Sequence, residues 1–565
     1  MSIVLGVSNA HNGGVALISD GEVKCAIQAE RLSRRKRQSL YLDRENKWMK
    51  DCVRYCLDAT GFQYSDIEAI GVSTHMNVKK INNEDLFKNI GGTPGGYTET
   101  FYVPHHFTHM EYAVHFGSLE PGIVLVIDGS GSREKDRLLF NVKEENHPQI
   151  INHVNFAGRE VISAYWFDGV KSSLIYRFSS SSHSMPDKSN QRYGALFQSI
   201  GHYWNWASLY CCGLNDEAGK VMGLAAFGEK DETIKEQALS ISDNGKIKLD
   251  YTLLNRIFKN PNTLKLDTSN SKHHQNLAFK VQSETETVIL KLLTMLKEKY
   301  PTDTLYYSGG VALNVVANEK IKRSNLFKNI ILNGSVEDNG TAIGAGLSAS
   351  LQLGYKRKSS AVTDYYGRQY NHDEVMEAVS QFNFSYKVFT DKEIFEFAAN
   401  LINEEKIFGW FQGGSEFGPR ALGNRSILAN PASLKTKHVL DHYMKCRDRY
   451  RPYAPVVIEE EANKYFDMDT SSPVMMRNVK VLDKGLPAIT HFDGTARVQT
   501  VNREDNETLY LLLLEVKKKT GYPVLLNTSF NLPGEPIVES PHDALSSFSR
   551  GSLDYLFIEN ILISR

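Results

Sequence analysis

The segment IVLGVSNAHNGGVALISDGEVKCAIQ, residues 3–28, decides the fold of the first half of this sequence. Its apolar runs at 3–8, 15–19 and 23–28 have the length and residue types of strands, and the Asp20-Gly21 pair between the last two is typical of a tight turn. The segment therefore predicts one strand followed by a β-hairpin.

Three further apolar runs end in turns that are rich in glycine. The runs and the residues that follow them are 123–127 before DGSG, 305–307 before SGG, and 330–332 before NGS. Apolar residues recur at helical spacing over 284–299 and 341–353. Strands that end in such turns and alternate with helices predict an α/β sheet that gathers ligands at the ends of its strands.

A polar stretch separates the two halves of the sequence. Residues 354–367, GYKRKSSAVTDYYG, lack an apolar pattern and are interpreted as a linker. Beyond them, 406–412 and 523–526 are predicted strands, and 541–549 is a predicted helix that begins at Ser540-Pro541. A chain of 565 residues predicts roughly two to four domains.

Composition and charge favour an ordinary globular protein. Apolar residues make up 41% and charged residues 23% of the chain, and the formal net charge is −1. Because a neutral chain has no general attraction for polyanions, no nucleic-acid partner is expected. The sequence has neither a secretory signal pattern nor an apolar run of transmembrane length, so we expect a cytoplasmic location without a membrane partner.

Two histidines and two aspartates form a candidate metal site. His105 and His109 lie in PHHFTHME, and their spacing would place both rings on one face of a helix. An isolated pair of this kind is also compatible with a polar surface helix. Asp128 and Asp338 each follow a predicted strand in a glycine-bounded turn, which favours the metal. Two imidazoles and two carboxylates suit iron or manganese better than a structural zinc ion.

Cationic residues in the second half form a candidate anion site. FGPRALGNRSILANP, residues 417–431, contains Arg420 and Arg425, and the residues that follow add Lys445, Arg447, Arg449, Arg451 and Arg497. Guanidinium groups bind carboxylates and phosphates through paired hydrogen bonds. We expect Arg420 and Arg451 to line a pocket and Arg449 to lie on a solvated face. No Ser-His-Asp arrangement is readable, so a covalent acyl-enzyme is not expected.

Many of these motifs together resemble the ATP-dependent O-carbamoyltransferases of the NodU/CmcH type. In the first half the resemblance rests on LGVSNAHNGGVALISDG, AERLSRRK, HHFTH, VIDGSG, EAGKVMGLAAFG, SGGVALN and SVEDNGTAIGAG. In the second half it rests on GPRALGNRSILANP, KCRDRYRPYAP, TARVQTV and LNTSFNLPGEPIVESPHDAL. The resemblance implies an α/β architecture of two domains. Residues 1–355 would form an ASKHA (actin/hexokinase-like, TsaD-like) domain, 356–366 a linker, and 367–565 a YrdC-like α/β domain.

The resemblance also implies a reaction. The C-terminal domain would use carbamoyl phosphate and ATP, with Mg²⁺, to make a carbamoyl-adenylate. The N-terminal domain would then transfer the carbamoyl group to a hydroxyl of a small-molecule acceptor, such as an antibiotic, toxin, oligosaccharide or polyketide. A homodimer is expected.

The resemblance implies a role for each site residue. A divalent metal, expected to be iron, would be held by His105, His109, Asp128 and Asp338. The adenylate would be lined by Lys220, Gly309, Gly310 and Asn314. Carbamoyl phosphate and ATP would be bound by Arg420, Lys445, Arg451, Arg497, Asn527 and Ser529. Asp128, Arg420 and Lys445 would be catalytic, and His11 would assist deprotonation of the acceptor hydroxyl.

Two positions depart from the family pattern, and other functions stay open. Asn12 replaces an aspartate and Ala29 replaces a glutamate, which affects the expected substrate more than the expected activity. The serine-rich stretch 172–190 is predicted to be a mobile loop that shapes the acceptor pocket. The alternatives are a tRNA-modification enzyme that uses threonylcarbamoyl-adenylate, a catalytically silent metabolite-binding protein, and an ASKHA sugar kinase.

Overall fold

A computed structural model describes residues 3–8, 10–40, 47–74, 99–181, 197–257, 271–445 and 450–565. Three large sheets with helices packed on them make the chain a mixed α/β protein, which confirms the predicted fold class. Among the helices of these residues, none is long and apolar enough to cross a membrane.

The first sheet has five strands and contains the predicted hairpin. Its order is β3-β2-β1-β4-β5, with β1, β2 and β3 antiparallel and with β4 and β5 parallel to β1. The bounds are β1 Ile3–Ser8, β2 Gly14–Ser19, β3 Glu22–Gln28, β4 Ile67–Thr74 and β5 Glu99–Pro104. The first strand and the hairpin predicted from residues 3–28 are confirmed.

The second sheet repeats the topology of the first. Its bounds are β6 Gly122–Ile127, β7 Glu145–His153, β8 Arg159–Phe167, β9 Ser172–Ser180, β12 Thr304–Ser308 and β13 Asn329–Leu332. The order is β13-β12-β6-β8-β9-β7, with β12 and β13 parallel to β6 and with β6, β8 and β9 antiparallel. Apart from the edge strand β7, the order and directions are those of the first sheet. This duplication is what an ASKHA domain requires, and it confirms that prediction for the first half.

Helices and one small sheet complete the first half. The small sheet pairs β10 Leu239–Ile241 with β11 Ile247–Leu249. The helices are α1 Ala29–Ser33, α2 Lys47–Thr60, α3 His105–Val114, α4 Ile200–Cys212, α5 Ala218–Ala225, α6 Tyr251–Ile257, α7 Lys272–Lys299, α8 Val315–Arg323 and α9 Gly340–Gln352. Helix α9 lies against α3 so closely that a Cβ at Gly344 would come within 1.9 Å of the Thr108 carbonyl oxygen. Glycine therefore fixes the distance between these two helices.

The second half is built on one nine-stranded sheet. Its order is β14-β22-β21-β15-β16-β20-β17-β19-β18. The strands are β14 Ser385–Val388, β15 Phe408–Phe411, β16 Arg425–Ala429, β17 Ala454–Ile458, β18 Arg477–Lys480, β19 Thr495–Val501, β20 Val524–Ser529, β21 Tyr555–Ile558 and β22 Ile561–Ser564. The helices are α10 His372–Ser380, α11 Asp391–Asn403, α12 Leu434–Val439, α13 Ala462–Tyr465, α14 Glu507–Thr520 and α15 Pro541–Arg550. The predicted α/β character of this half is confirmed, and its YrdC-like description stays a prediction.

The serine-rich stretch was predicted to be a mobile loop, and this prediction is wrong for the part that forms a strand. Residues 172–180 form β9, a strand whose side chains are almost all buried, and not a mobile loop. Two of its serines make hydrogen bonds inside the protein, because Ser179 Oγ and Ser180 Oγ accept the backbone N–H groups of Asn155 and Gln198. Residues 182–190 of the predicted loop lie outside the described residues.

The joining segment, residues 356–366, is packed between the two halves. The Tyr366 carbonyl accepts the Ala26 N–H of β3 at 2.9 Å, and the Asp364 carbonyl accepts the Phe417 N–H at 2.7 Å. Asp364 and Tyr366 are both buried. The polar composition of this segment therefore does not make it a flexible linker. The domain limits of 1–355 and 367–565 stay a prediction.

Candidate functional site

The four predicted metal ligands meet at one point in the first half. The Nε2 atoms of His105 and His109 are 3.3 Å apart, and Asp338 Oδ1 lies 3.3 Å from the first and 3.7 Å from the second. Asp128 Oδ2 lies 3.5 Å from His105 Nε2. All four side chains are buried, and one ligand atom from each lies within 4.8 Å of the others.

The topology explains why residues so distant in sequence meet. Strands β6, β12 and β13 are parallel neighbours, so the turns that follow them lie at the same edge of the sheet. These turns carry Asp128, the Gly309-Gly310 pair and Asp338. Helix α3 presents both histidine rings to this edge, as its i,i+4 spacing predicts.

Neighbouring groups hold three of the four predicted ligands, His105, Asp128 and Asp338, in place. Ser73 Oγ lies 3.3 Å from His105 Nδ1, so the Nε2 atom of that ring is left to face the carboxylates. The Gly310 N–H donates to Asp128 Oδ1 at 3.1 Å. Ser8 and Thr341 donate their hydroxyls to the carbonyl oxygen of Asp338 at 2.8 and 2.6 Å.

The electrostatics of this centre favour a bound cation. Burial lowers the pKa of His105, but the nearby Asp338 and Asp128 carboxylates outweigh it and raise the pKa to about 10. Burial and the like charge of Asp338 act to raise the pKa of Asp128, yet its bond to His105 holds the pKa at about 2. Positive charge between these side chains is therefore stabilised.

The residues present fit a divalent metal ion. Two imidazole nitrogens 3.3 Å apart, with two carboxylates beside them, place four possible ligand atoms within 4.8 Å of one another. A mixed set of two nitrogen and two oxygen donors suits iron or manganese. The metal-ligand prediction for His105, His109, Asp128 and Asp338 agrees with this arrangement, and the choice of iron stays a prediction.

His11 lies at the open side of the metal centre. Its Nδ1 is 3.0 Å from Asp338 Oδ2, while its side chain is 58% exposed. Burial lowers the pKa of His11, but the Asp338 carboxylate outweighs this effect and raises the pKa to about 9. His11 is thus placed between a metal ligand and any molecule that enters from outside.

A buried ionic network below α3 was not predicted from sequence. Glu160 Oε1 accepts the N–H groups of His106 and Ser132, each at 3.0 Å, and Ser132 Oγ accepts the His105 N–H at 2.8 Å. Glu160 Oε2 pairs with Arg137, and Arg177 lies 3.6 Å away. Glu160 therefore anchors the first turn of the helix that carries both histidines.

The predicted adenylate residues occupy different environments. Gly309 has a φ of 92°, and a Cβ there would come within 2.3 Å of the Ile127 carbonyl oxygen, so the turn beside Asp128 requires glycine. Lys220 is half-buried on α5 and lies 3.6 Å from Glu217. The side chain of Asn314 caps α8 and exchanges two hydrogen bonds with Gln282, so its amide is already engaged. The adenylate role of these residues stays a prediction.

The topology of the second half gathers the predicted anion-binding residues at one edge of the nine-stranded sheet. Strand β20 is antiparallel to β16 and β17, and β19 is parallel to β17. The end of β20 therefore lies beside the beginnings of the other three strands. At this edge lie Arg420, Lys445, Arg451, Arg497 and Ser529. Arg447 and Arg449 lie outside the described residues.

Lys445 is tethered at the end of β20. Its Nζ donates to the carbonyl oxygen of Ser529 and, at 2.8 Å, to Asn531 Oδ1. Ser529 Oγ in turn donates to Asn531 Oδ1 at 2.7 Å. Asn531 was missed in the sequence analysis, although it lies two residues beyond Ser529 in the same motif. The three side chains form a polar group suited to a small anion with a neutral polar end.

Arg420 lies where the two halves meet. Burial lowers its pKa to about 10 despite the nearby Glu337 carboxylate, and Arg451 is a further charged neighbour. Burial also raises the pKa of Glu337 to about 7. Because Glu337 directly precedes the predicted metal ligand Asp338, this charge interaction links the Arg420 loop of one half to the Asp338 turn of the other.

Three buried residues support the Arg420 loop. Arg425 is fully buried, stacks on Phe411 at 3.5 Å and donates to four backbone carbonyls. Asn527 donates to the Ala421 carbonyl at 3.2 Å. Glu416, missed from sequence, accepts three backbone N–H groups of the loop through Oε1. The binding role predicted for Asn527 stays a prediction, while this contact makes it a support for the loop.

Comparison with protein families matches both halves of the chain. The family description Carbamoyltransferase N-terminus matches residues 3–88 and 96–347, and Carbamoyltransferase C-terminus matches residues 399–565. The chain is 31% identical to nodulation protein NolNO of Sinorhizobium fredii over 98% of this chain and 79% of that protein. It is 25% identical to nodulation protein U of Rhizobium tropici over 100% of this chain and 97% of that protein.

Solved structures show weaker likenesses. Full-length HypF in its phosphate- and nucleotide-bound form is 12% identical, with a TM-score of 0.39 over 62% of this chain and 56% of that chain. The ROK hexokinase from Thermus thermophilus is 11% identical, with a TM-score of 0.31 over 62% of this chain and 99% of that chain.

Proposed function

Because this chain belongs to the carbamoyltransferase family, we propose that it is an ATP-dependent O-carbamoyltransferase with two adjoining sites. In the C-terminal site, water cleaves carbamoyl phosphate to carbamate and phosphate. A carbamate oxygen attacks the α-phosphorus of ATP, and pyrophosphate leaves. In the N-terminal site, an acceptor hydroxyl oxygen attacks the carbonyl carbon of the carbamoyl-adenylate, the bond to AMP breaks, and the hydroxyl proton passes to a base.

The cations of the C-terminal site account for the first step. Arg420 and Arg451 offer guanidinium groups to phosphate oxygens, and Lys445 adds an ammonium group beside Ser529 and Asn531. Such groups stabilise the negative charge that develops as phosphate and pyrophosphate leave. The hydroxyl of Ser529 and the amide of Asn531 are suited to the neutral amide end of carbamoyl phosphate.

The N-terminal site accounts for the second step. A divalent metal bound by His105, His109, Asp128 and Asp338 would supply Lewis-acid polarisation of an oxygen ligand. His11 is half-exposed and lies beside Asp338, so it can reach an entering hydroxyl. Although burial lowers it, the Asp338 charge raises the pKa of His11 to about 9, so the ring would accept the hydroxyl proton once a metal bound to Asp338 neutralises that charge. We propose that the acceptor is a small molecule with a free hydroxyl.

The single observation that carries the proposal is the adjacency of the two sites. Gly418, two residues before Arg420, and Ser335, three residues before Asp338, both donate hydrogen bonds to the Asp364 carboxylate, each at 2.7 Å. Carbamate and its adenylate both react with water, so a short and sheltered path between the sites preserves them. Separate binding functions for the two halves would not require this adjacency.

Release of pyrophosphate from ATP, with and without carbamoyl phosphate and without an acceptor, tests the proposal. We expect release that depends on carbamoyl phosphate. Lys445→Ala should abolish it, Asp338→Ala should largely spare it, and Lys518→Ala serves as a control because Lys518 is exposed on α14 and pairs with Glu515. No release, or release that instead requires threonine and bicarbonate, would overturn the proposal and favour the tRNA-modification alternative.

A further inference from the structure

The loop that carries Arg420 is held in place by the N-terminal half. Gln28, at the end of β3, donates its side-chain amide to the carbonyl oxygen of Phe417. Arg31, on α1, donates to the carbonyl oxygen of Gly418 at 2.7 Å. Both contacts lie within three residues of Arg420, so the position of this arginine depends on side chains of the other half.

Asp364 of the joining segment extends this contact to the metal centre. Its Oδ2 accepts the Gly418 N–H at 2.7 Å, and its Oδ1 accepts the Ser335 hydroxyl at 2.7 Å. The Ser335 N–H in turn donates to the hydroxyl of Tyr112 at 2.9 Å, and Tyr112 lies on α3 with the two histidine ligands. One carboxylate thus bonds directly to both the Arg420 loop and the turn that carries Asp338.

The surroundings of Asp364 are tightly packed. A Cβ at Gly418 would come within 2.4 Å of Asp364 Oδ2, and a Cβ at Gly334 would come within 2.9 Å of the same atom. Asp364 itself is fully buried. Glycine is therefore required on both sides of the carboxylate, and the backbones of the two halves approach each other as closely as the bonds to Asp364 demand.

We propose that Asp364 is a positioning residue that holds the Arg420 loop and the Asp338 turn at a fixed separation. Asp364 contacts neither a predicted metal ligand side chain nor a predicted anion-binding side chain, so it acts through Ser335 and Gly418. Removing its carboxylate takes one hydrogen bond from each backbone at once and loosens both sites. The expected effect of Asp364 on adenylation rests on the proposed function, whereas its expected effect on metal binding does not.

Two substitutions at Asp364 distinguish this role from bulk packing. Asp364→Ala removes the bonds to both halves. Asp364→Asn keeps an oxygen to accept the Gly418 N–H and offers an N–H to Ser335 Oγ, so it should preserve both contacts. Arg34→Ala is the matched control, because Arg34 also makes two bonds across the boundary, to the carbonyls of Pro536 and Ile537, and it bonds to neither the Arg420 loop nor the Asp338 turn.

The experiment measures two quantities on each full-length variant. The first is the affinity of the metal centre for Mn²⁺, obtained by titration. The second is the rate of pyrophosphate release that depends on carbamoyl phosphate. We expect Asp364→Ala to weaken Mn²⁺ binding and to slow release by at least ~10-fold each, as loss of a supporting contact does at metal sites. Asp364→Asn and Arg34→Ala should stay within about threefold of the wild type, a factor worth less than 1 kcal/mol.

The outcomes separate this inference from the proposed function. Wild-type values for Asp364→Ala in both measurements would overturn the positioning role, as would equal losses in Arg34→Ala. If the wild type releases no pyrophosphate with carbamoyl phosphate, the proposed function fails. The Mn²⁺ affinities then decide the role of Asp364 at the metal turn by themselves. If Asp364→Ala precipitates, Ser335→Ala takes its place, because it removes only the bond on the metal side. This variant should weaken Mn²⁺ binding and leave pyrophosphate release unchanged, and an unchanged Mn²⁺ affinity would overturn the positioning role.

Discussion

Glu416 supports the Arg420 loop, and its removal should disable the C-terminal site without touching any substrate-binding side chain. Its Oε1 accepts the N–H groups of Leu422, Asn424 and Arg425 at 2.6, 2.8 and 3.2 Å. The side chain is buried. In Glu416→Ala, three backbone donors that follow Arg420 lose their acceptor at once.

The contacts give the magnitude of this effect. Each buried N–H group left without a partner costs about 1–3 kcal/mol. Since the bond at 3.2 Å is weaker and water can enter the space left by truncation, we expect the free energy of unfolding to fall by about 3 kcal/mol. A loop displaced by about 1 Å would misplace Arg420 enough to slow adenylation by about 100-fold.

The assay compares three proteins under the same conditions. Pyrophosphate release with carbamoyl phosphate and ATP gives the rate, and denaturant unfolding gives the stability. Glu416→Gln is the matched control, because its amide oxygen keeps one acceptor for the same N–H groups, and it should stay within about tenfold of the wild-type rate, a cost near one hydrogen bond. A Glu416→Ala protein with wild-type rate and wild-type stability would refute the reasoning.

Three further predictions concern the metal centre and the buried charges. Glu160→Ala leaves the N–H groups of His106 and Ser132 without their acceptor, while Glu144 still pairs with the two arginines, so it should lower the free energy of unfolding by about 3 kcal/mol in denaturant titrations, whereas an unchanged midpoint would contradict the network. His109→Ala should weaken Mn²⁺ binding by at least ~100-fold in a titration and spare carbamoyl-phosphate-dependent pyrophosphate release; equal losses of both would contradict the division between sites. Burial and the nearby Glu416 charge raise the pKa of Asp364 to about 7, although the Arg31 charge acts to lower it. The folded state therefore keeps a proton on Asp364 at pH values where the unfolded state has already released it. The stability from this group is therefore complete below pH ~4 and declines as the pH rises through about 7, and Asp364→Asn should flatten that decline in unfolding curves measured from pH 5 to 8.

The meeting of the four predicted metal ligands could be predicted from the sequence because its signals are local. The spacing of His105 and His109 is a property of one helix, and Asp128 and Asp338 each follow an apolar run that becomes a parallel strand. Parallel neighbours place such turns at one edge, so the meeting of these residues follows from the strand pattern alone. The gathering of the predicted anion-binding residues could be predicted in the same way, from the Arg420 motif and the end of β20.

The supports of these sites could not be predicted, because their partners are distant in sequence. Asp364 lies in a polar stretch that reads as a linker, and only the fold brings Ser335 and Gly418 to its two oxygens. Arg425 belongs to the same motif as Arg420, yet it is buried against Phe411 and bonded to backbone carbonyls. Composition and spacing do not distinguish an arginine that binds an anion from one that binds its own backbone.

The exchange of labelled pyrophosphate into ATP, measured without any acceptor, tests the central claim most directly. If the C-terminal site forms a carbamoyl-adenylate reversibly, label enters ATP only when carbamoyl phosphate is present. Lys445→Ala should abolish this exchange, and His109→Ala should retain it. Exchange that does not need carbamoyl phosphate, or that appears only with threonine and bicarbonate, would contradict the account.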